Sequence, residues 1–226
     1  MNLAVRRLCC LVALLALSGS RAQAPEEPWT LAKRADGISV YTRHVADSAL
    51  KEFRGDVELA ASVEQVVAVL RDVRTFPDWL PDTLDCRLLR SSDSERTIYI
   101  ETHAPWPVSN RDGVFHFVYS RGVDGVAHVR VSALPGLVPE RAGKVRVLRS
   151  DGYWSIQPKP GGVRVSYQIH ADPGGRVPIW LANLTVVRMP FKTLHNLRRQ
   201  VLSPAPASIG CPLAPAKISM RDSGSG

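Results

Sequence analysis

The sequence predicts an α+β fold in which about nine antiparallel strands curve around one long C-terminal helix, with two short helices beside them. Three observations carry this. Between Leu84 and Ala171 the signal is nearly all strand, in segments bounded by Gly, Pro, Asp or Ser turns too short for anything but antiparallel pairing. The cleanest of these strands sets Val163, Val165, Tyr167 and Ile169 against Arg164, Ser166, Gln168 and His170, and ends at Asp172-Pro173-Gly174-Gly175, whose glycines are free to take positive φ. Pro178 then opens the long helical pattern, which runs to about Leu202.

Taken in order, the chain begins with an export signal over residues 1–24: Arg6 and Arg7, an apolar run from Leu8 to about Leu17, and Ala22-Gln23-Ala24 as the cleavage site. This predicts a periplasmic or secreted protein whose folded part spans 25–202 as one domain. A short helix is expected from about Pro28 to Ala35, with Gly37 as its left-handed cap. Ile38 to Arg43 and the Val57/Leu59 region alternate as strands. Ser62 with Gln65 forms a capping box, and Val63, Val66, Val67, Leu70 and Val73 make one stripe of an amphipathic helix expected on the outside of the sheet. Strands follow around 84–91, 97–103, 112–120, 125–133, 144–149, 152–158 and 163–171.

The last helix would extend roughly 35 Å at 1.5 Å per residue. Its first half is apolar almost all round, which predicts burial against the sheet. Arg176 and Arg188 bracket too short a stretch for a membrane span. Pro190 predicts a kink or weak point. Residues 203–226, with Ser-Pro-Ala-Pro-Ala and a final Ser-Gly-Ser-Gly, read as a disordered tail.

Composition narrows the function. The formal net charge is +8, and removing the signal takes three arginines from it, leaving about +5. The basic residues are scattered and not interleaved with aromatics, so no nucleic-acid partner is expected, and a mildly basic surface suits transient contact with anionic membrane headgroups. The six histidines have no His-x-His or His-x-x-x-His spacing and no nearby cysteine pair, so no metal is expected. There is no Gly-x-Ser-x-Gly elbow and no phosphate-cradling glycine loop, so no catalytic residue and no cofactor are assigned. Cys86 and Cys211 fit either a disulfide or two lone thiols.

A sheet bent this strongly cannot close on one helix along its whole length, and the gap suits a hydrophobic molecule. The segments Gly37-Ile38-Ser39-Val40-Tyr41, Lys51-Glu52-Phe53-Arg54-Gly55, Pro105-Trp106-Pro107-Val108-Ser109-Asn110-Arg111-Asp112 and Gly174-Gly175-Arg176-Val177-Pro178-Ile179-Trp180-Leu181-Ala182-Asn183, with Trp29 and Trp79, are in order and spacing similar to the START (steroidogenic acute regulatory protein-related lipid transfer) domain, from about Glu26 to Leu202. The resemblance implies the helix-grip fold and a tunnel, between sheet and C-terminal helix, that binds one lipid without chemistry. Members that take sterols carry a cavity arginine where this chain has Phe117, so its tunnel would be more apolar.

The ligand-contacting residues expected are Trp106, Arg111, Phe115 and Phe117 from the sheet, and Ile179, Trp180, Asn183, Leu184 and Val187 from the helix. Gly174 and Gly175 belong to a lid. Arg111 and Asp112 face opposite sides of their strand, so each either anchors the strand start or meets a headgroup. Trp106 and Trp180 are core residues, ligand contacts or membrane-facing indoles. The protein is expected to carry or sense one phospholipid, fatty acyl or sterol-like lipid as a monomer. The alternatives are a helix-grip enzyme acting on a hydrophobic substrate in the same cavity, and an envelope module that binds a peptide.

Overall fold

A computed structural model describes residues 27–46, 48–175 and 177–203. The export segment, Arg176, Cys211 and the tail from 204 lie outside the described residues. Ten strands form one sheet in the order β1-β2-β3-β10-β9-β7-β6-β5-β4, with a short β8 beside β6. They are β1 (Thr30–Ala35), β2 (Ile38–Arg43), β3 (Glu52–Leu59), β4 (Thr83–Ser91), β5 (Glu95–Thr102), β6 (Arg111–Arg121), β7 (Ala127–Ala133), β8 (Val145–Arg146), β9 (Arg149–Lys159) and β10 (Gly162–Asp172). All pairings are antiparallel except β6 with β8. The helices are α1 (Val63–Arg71), α2 (Phe76–Trp79) and the 24-residue α3 (Ile179–Leu202), with a single 3₁₀ turn at Val73–Thr75.

The segment expected as a first helix is instead β1. Asp36 and Gly37 take φ of 52° and 69°, the two-residue turn of a hairpin that returns the chain into β2. A left-handed glycine serves a helix end and a hairpin equally well, which is why the sequence pattern is ambiguous there.

The capping box at α1 is present in full. Ser62 Oγ accepts from the Gln65 amide, and Gln65 Oε1 accepts from the Ser62 amide. This helix lies on the inner face of the sheet beside α3, not on the outside as its amphipathic pattern suggested: Val63, Val66 and Leu70 join the one hydrophobic core, and the Leu70 carbonyl accepts from Tyr119 on β6. The segment between α1 and β4 adds α2, whose Phe76 and Trp79 are buried.

Pro178 precedes α3 and its carbonyl takes the first helical hydrogen bonds. The helix continues through Pro190 without a break. Its packing reverses the expectation. The second half is the buried one, with Thr193, Leu194 and Leu197 at 1% exposure or less, seated on β2 and β3. Gly55 of β3 makes this approach possible, because a Cβ there would stand 2.7 Å from Leu194 Cδ1. The first half exposes Trp180, Leu184 and Arg188.

Candidate functional site

Cross-strand register defines the inner face of the sheet. On β6 it carries Arg111, Gly113, Phe115, Phe117 and Tyr119, since Phe117 meets Phe76 at 6.0 Å between ring centroids and Tyr119 reaches α1. Pairing extends each position sideways: Phe115 with Ile98 and Leu88, Gly113 with Ile100 and Cys86, Arg111 with Thr102 and Thr83. The Phe115 ring folds back over Gly113, where a Cβ would stand 2.5 Å from it. At the other wing an aromatic ladder lines the same face. Trp154 stacks on Tyr167 at 3.8 Å, Tyr167 meets Phe53 at 5.1 Å, and Trp79 meets Trp154 at 6.3 Å.

Several apolar side chains of the sheet and of the first half of α3 are not fully covered. Phe115, Tyr167 and Ala171 on the sheet, and Val186 and Val187 on α3, adjoin the core yet remain only partly buried. Burial pushes the Tyr167 phenol well above its usual pKa. Four buried polar atoms on β6, β4, α3 and α2 have no hydrogen-bond partner: Arg111 Nε, Thr83 Oγ1, Asn183 Oδ1 and Trp79 Nε1.

Arg111 is 9% exposed. Its guanidinium donates to the Ser109 carbonyl and, at 3.3 Å, to the Gly174 carbonyl in the loop before α3. No described carboxylate forms an ion pair with it, and burial lowers its pKa from the usual arginine value. Gly174 and Gly175 take φ of 68° and 64° and seat against β8, with a Cβ on Gly174 only 2.7 Å from the Arg146 carbonyl. Asp172 Oδ1 accepts from the Gly174 amide at 2.9 Å.

Behind this, on the outer face, Asp112 and Arg146 form a buried bidentate pair. Lys144 pairs with Glu101 nearby. Burial and the Asp112 charge push the Tyr99 phenol up to about 12.

The expected residues therefore divide. Phe115 and Val187 are partly buried against the core, and Arg111 and Asn183 each hold a buried polar atom without a partner. Phe117 is 7% exposed and packed against Phe76, so it is core. Gly174 and Gly175 form the loop touching Arg111, and Ile179 is the first residue of α3. Trp106, Trp180 and Leu184 are 93%, 70% and 57% exposed and do not line the interior: Trp106 stands out from the loop before β6, and α3 turns Trp180 and Leu184 outward. Thr83 and Thr102 share the register row of Arg111, Tyr167 and Trp79 each pack on Trp154, and Trp79 and Thr83 line a concavity with Lys192, His195 and Asn196 of α3; the sequence reading assigned none of the four to the site. Tyr167 was legible from its alternation with Val165 and Ile169. His116 contacts Glu95 at an exposed position and takes no part. Among the described residues no group of three His, Cys, Asp or Glu could hold a metal ion, and no helix is long and apolar enough to cross a membrane. Cys86 is buried, its thiol donating to the Val73 carbonyl at 3.2 Å.

Known proteins share this fold and much of this sequence. A crystal structure of a STAR-related lipid transfer protein from Xanthomonas axonopodis superposes with a TM-score of 0.75 at 51% identity, covering 78% of this chain and 100% of that one. An uncharacterized protein of Pseudomonas aeruginosa is 37% identical over 184 residues, 81% of this chain and 91% of its own. The phosphatidylcholine transfer protein of Rattus norvegicus is 29% identical over 167 residues, 69% of this chain and 75% of its own. The START domain family model matches residues 12–201, and the chain belongs to that family.

Proposed function

We propose that the protein binds a single lipid between the inner face of the sheet and the first half of α3, and carries it without chemical change. The observation that supports this reading is the partial burial of Phe115, Tyr167, Val186 and Val187, apolar side chains that pack against the core and still keep uncovered surface, while Leu194 and Leu197 farther along α3 are fully buried. Apolar surface left uncovered between two elements is a binding opportunity worth about 25 cal/mol per Å² covered. The names of the Xanthomonas and rat relatives, both lipid transfer proteins, support the same reading.

The exposed indoles give the carrier a way to meet a membrane. Trp106 lies in the loop leading to β6 and Trp180 in the first turn of α3, and the Arg111–Gly174 hydrogen bond ties their segments to one end of the molecule. Exposed tryptophans suit the headgroup region of a bilayer. The export signal read in the sequence supports a contact within the cell envelope.

Purification of the protein from its own compartment, followed by organic extraction and lipid mass spectrometry, tests the proposal. A lipid near one equivalent per chain is the expected result. Protein that is folded, free of lipid and unable to take up a fluorescent phospholipid from vesicles would overturn it.

A further inference from the structure

We infer that the Tyr167 hydroxyl is the polar anchor of the lipid site, donating a hydrogen bond to an ester carbonyl of the bound lipid's acyl chains and so fixing how deep those chains lie. The inference rests on the lipid-binding reading and deepens it.

Two tyrosines on the inner face make the case by contrast. Tyr119 of β6 is complete, its hydroxyl donating to the Leu70 carbonyl at 2.8 Å. Tyr167, in the middle of the eleven-residue β10, has no hydrogen-bond partner among the described residues. Its ring is held all the same, stacked on Trp154 at 3.8 Å with 13° between the planes and met edge-on by Phe53 at 5.1 Å. A ring clamped on two sides keeps its oxygen in one place. That oxygen is not sealed off as Arg111 Nε and Trp79 Nε1 are, and the residue keeps uncovered surface. A hydroxyl drawn away from water without a partner is unfavourable, and a ligand that supplies an acceptor recovers the loss.

Position decides what the acceptor is. Directly opposite Tyr167 on β3 stands Gly55, which has no side chain to cover it and is itself covered by Leu194 and Pro190 of α3. Tyr167 therefore lies where the closed packing of the second half of α3 gives way to the partly buried Val186 and Val187 of the first. Its neighbours on this face, Val165 and Ile169 along the strand and Phe53 and Trp154 beside it, are all buried and apolar. Burial alone raises its pKa, so the phenol stays a neutral donor. A neutral donor among apolar walls suits an uncharged acceptor, because a charged one would lose its hydration there. In a lipid that acceptor is the ester carbonyl, the last polar atom before the hydrocarbon.

The test compares dioleoyl phosphatidylcholine with its diether analogue, which has the same headgroup and chain length and no carbonyl, on the delipidated full chain. Wild-type protein should bind the diester about threefold to tenfold more tightly. The infrared stretch of isotope-labelled ester carbonyls should move to lower frequency on binding. Tyr167→Phe should bind the two lipids alike and abolish that shift, with the stability of the lipid-free protein unchanged, since the hydroxyl has no partner in the chain to lose. A shift that persists in Tyr167→Phe overturns the anchor. Should that variant fail to fold, the wild type decides alone: equal affinity for the two lipids, or an unshifted carbonyl, overturns the anchor and leaves lipid binding standing. Failure of both lipids to bind overturns the lipid reading too. Dioleoylglycerol against its own diether should show the same preference; a preference seen only with the phosphocholine headgroup would place the contact there and overturn the ester assignment.

Discussion

Asp112 and Arg146 face one another on the outer side of the sheet, with both carboxylate oxygens 2.9 Å from the guanidinium nitrogens and both side chains at 2% exposure or less. The pair fixes β8 against β6, and β8 is the surface on which Gly174 and Gly175 rest. Removing one partner strands the other charge in the interior. Arg146→Met should therefore cost about 3–5 kcal/mol in chemical denaturation, and Asp112→Asn a similar amount.

The pair also sets an acid limit. Burial works to raise the Asp112 pKa, but the hydrogen bonds and charge of Arg146 outweigh it, and the carboxyl lies below its ordinary value. With the folded value below the unfolded one of about 3.9, the stabilisation is complete above about pH 5. It drains away as pH falls through the unfolded and then the folded value. Thermal unfolding followed from pH 6 to pH 2.5 should show that loss in the wild type and a flatter dependence in Asp112→Asn.

Gly55 is a second point of no tolerance. Leu194, fully buried, stands 2.7 Å from where a Cβ would be, and Pro190 Cβ stands 3.4 Å away. Gly55→Val should lift α3 from β3 and cost about 1–3 kcal/mol or more, measured by urea denaturation.

At Gly174 the backbone, not a side chain, is the obstacle. An alanine Cβ would lie 2.7 Å from the Arg146 carbonyl at φ 68°. Gly174→Ala should displace the loop, leaving the global unfolding free energy within about 1 kcal/mol of wild type and raising the release rate of a fluorescent phospholipid several-fold. Unchanged release would remove the loop from the exchange pathway.

Trp106→Ala and Trp180→Ala test the membrane contact. Both side chains are mostly exposed, so stability should change by no more than about 0.5 kcal/mol, while co-sedimentation with anionic vesicles should fall.

What the sequence discloses about this fold is what local physics decides. The Ser62–Gln65 capping box, the alternation of β10 and the Pro178 helix start all appear where the residues place them. Gly37 misled because one backbone conformation serves two structures. The sides of α3 were unreadable because its first half is apolar in every direction, so nothing local says that Trp180 and Leu184 face out while Asn183 and Val187 face in. The row Thr83–Thr102–Arg111 depends on a bulge between Thr83 and Asp85, and the Asp112–Arg146 pair spans 34 positions. Both are products of register, which the one-dimensional pattern does not encode.

The placement of β10 beside β3 bears on how the chain is made. Ser166 Oγ donates to Asp56 at 2.6 Å across 110 positions, so the first three strands wait for almost the last part of the domain to be synthesised before their inner edge is covered. Any chain cut short ahead of residue 162 presents β3 as an open ladder of amides and carbonyls, a template on which a second copy can add. Truncated products of this protein should aggregate, and its folding should be slow, governed by distant pairing and not by its helices.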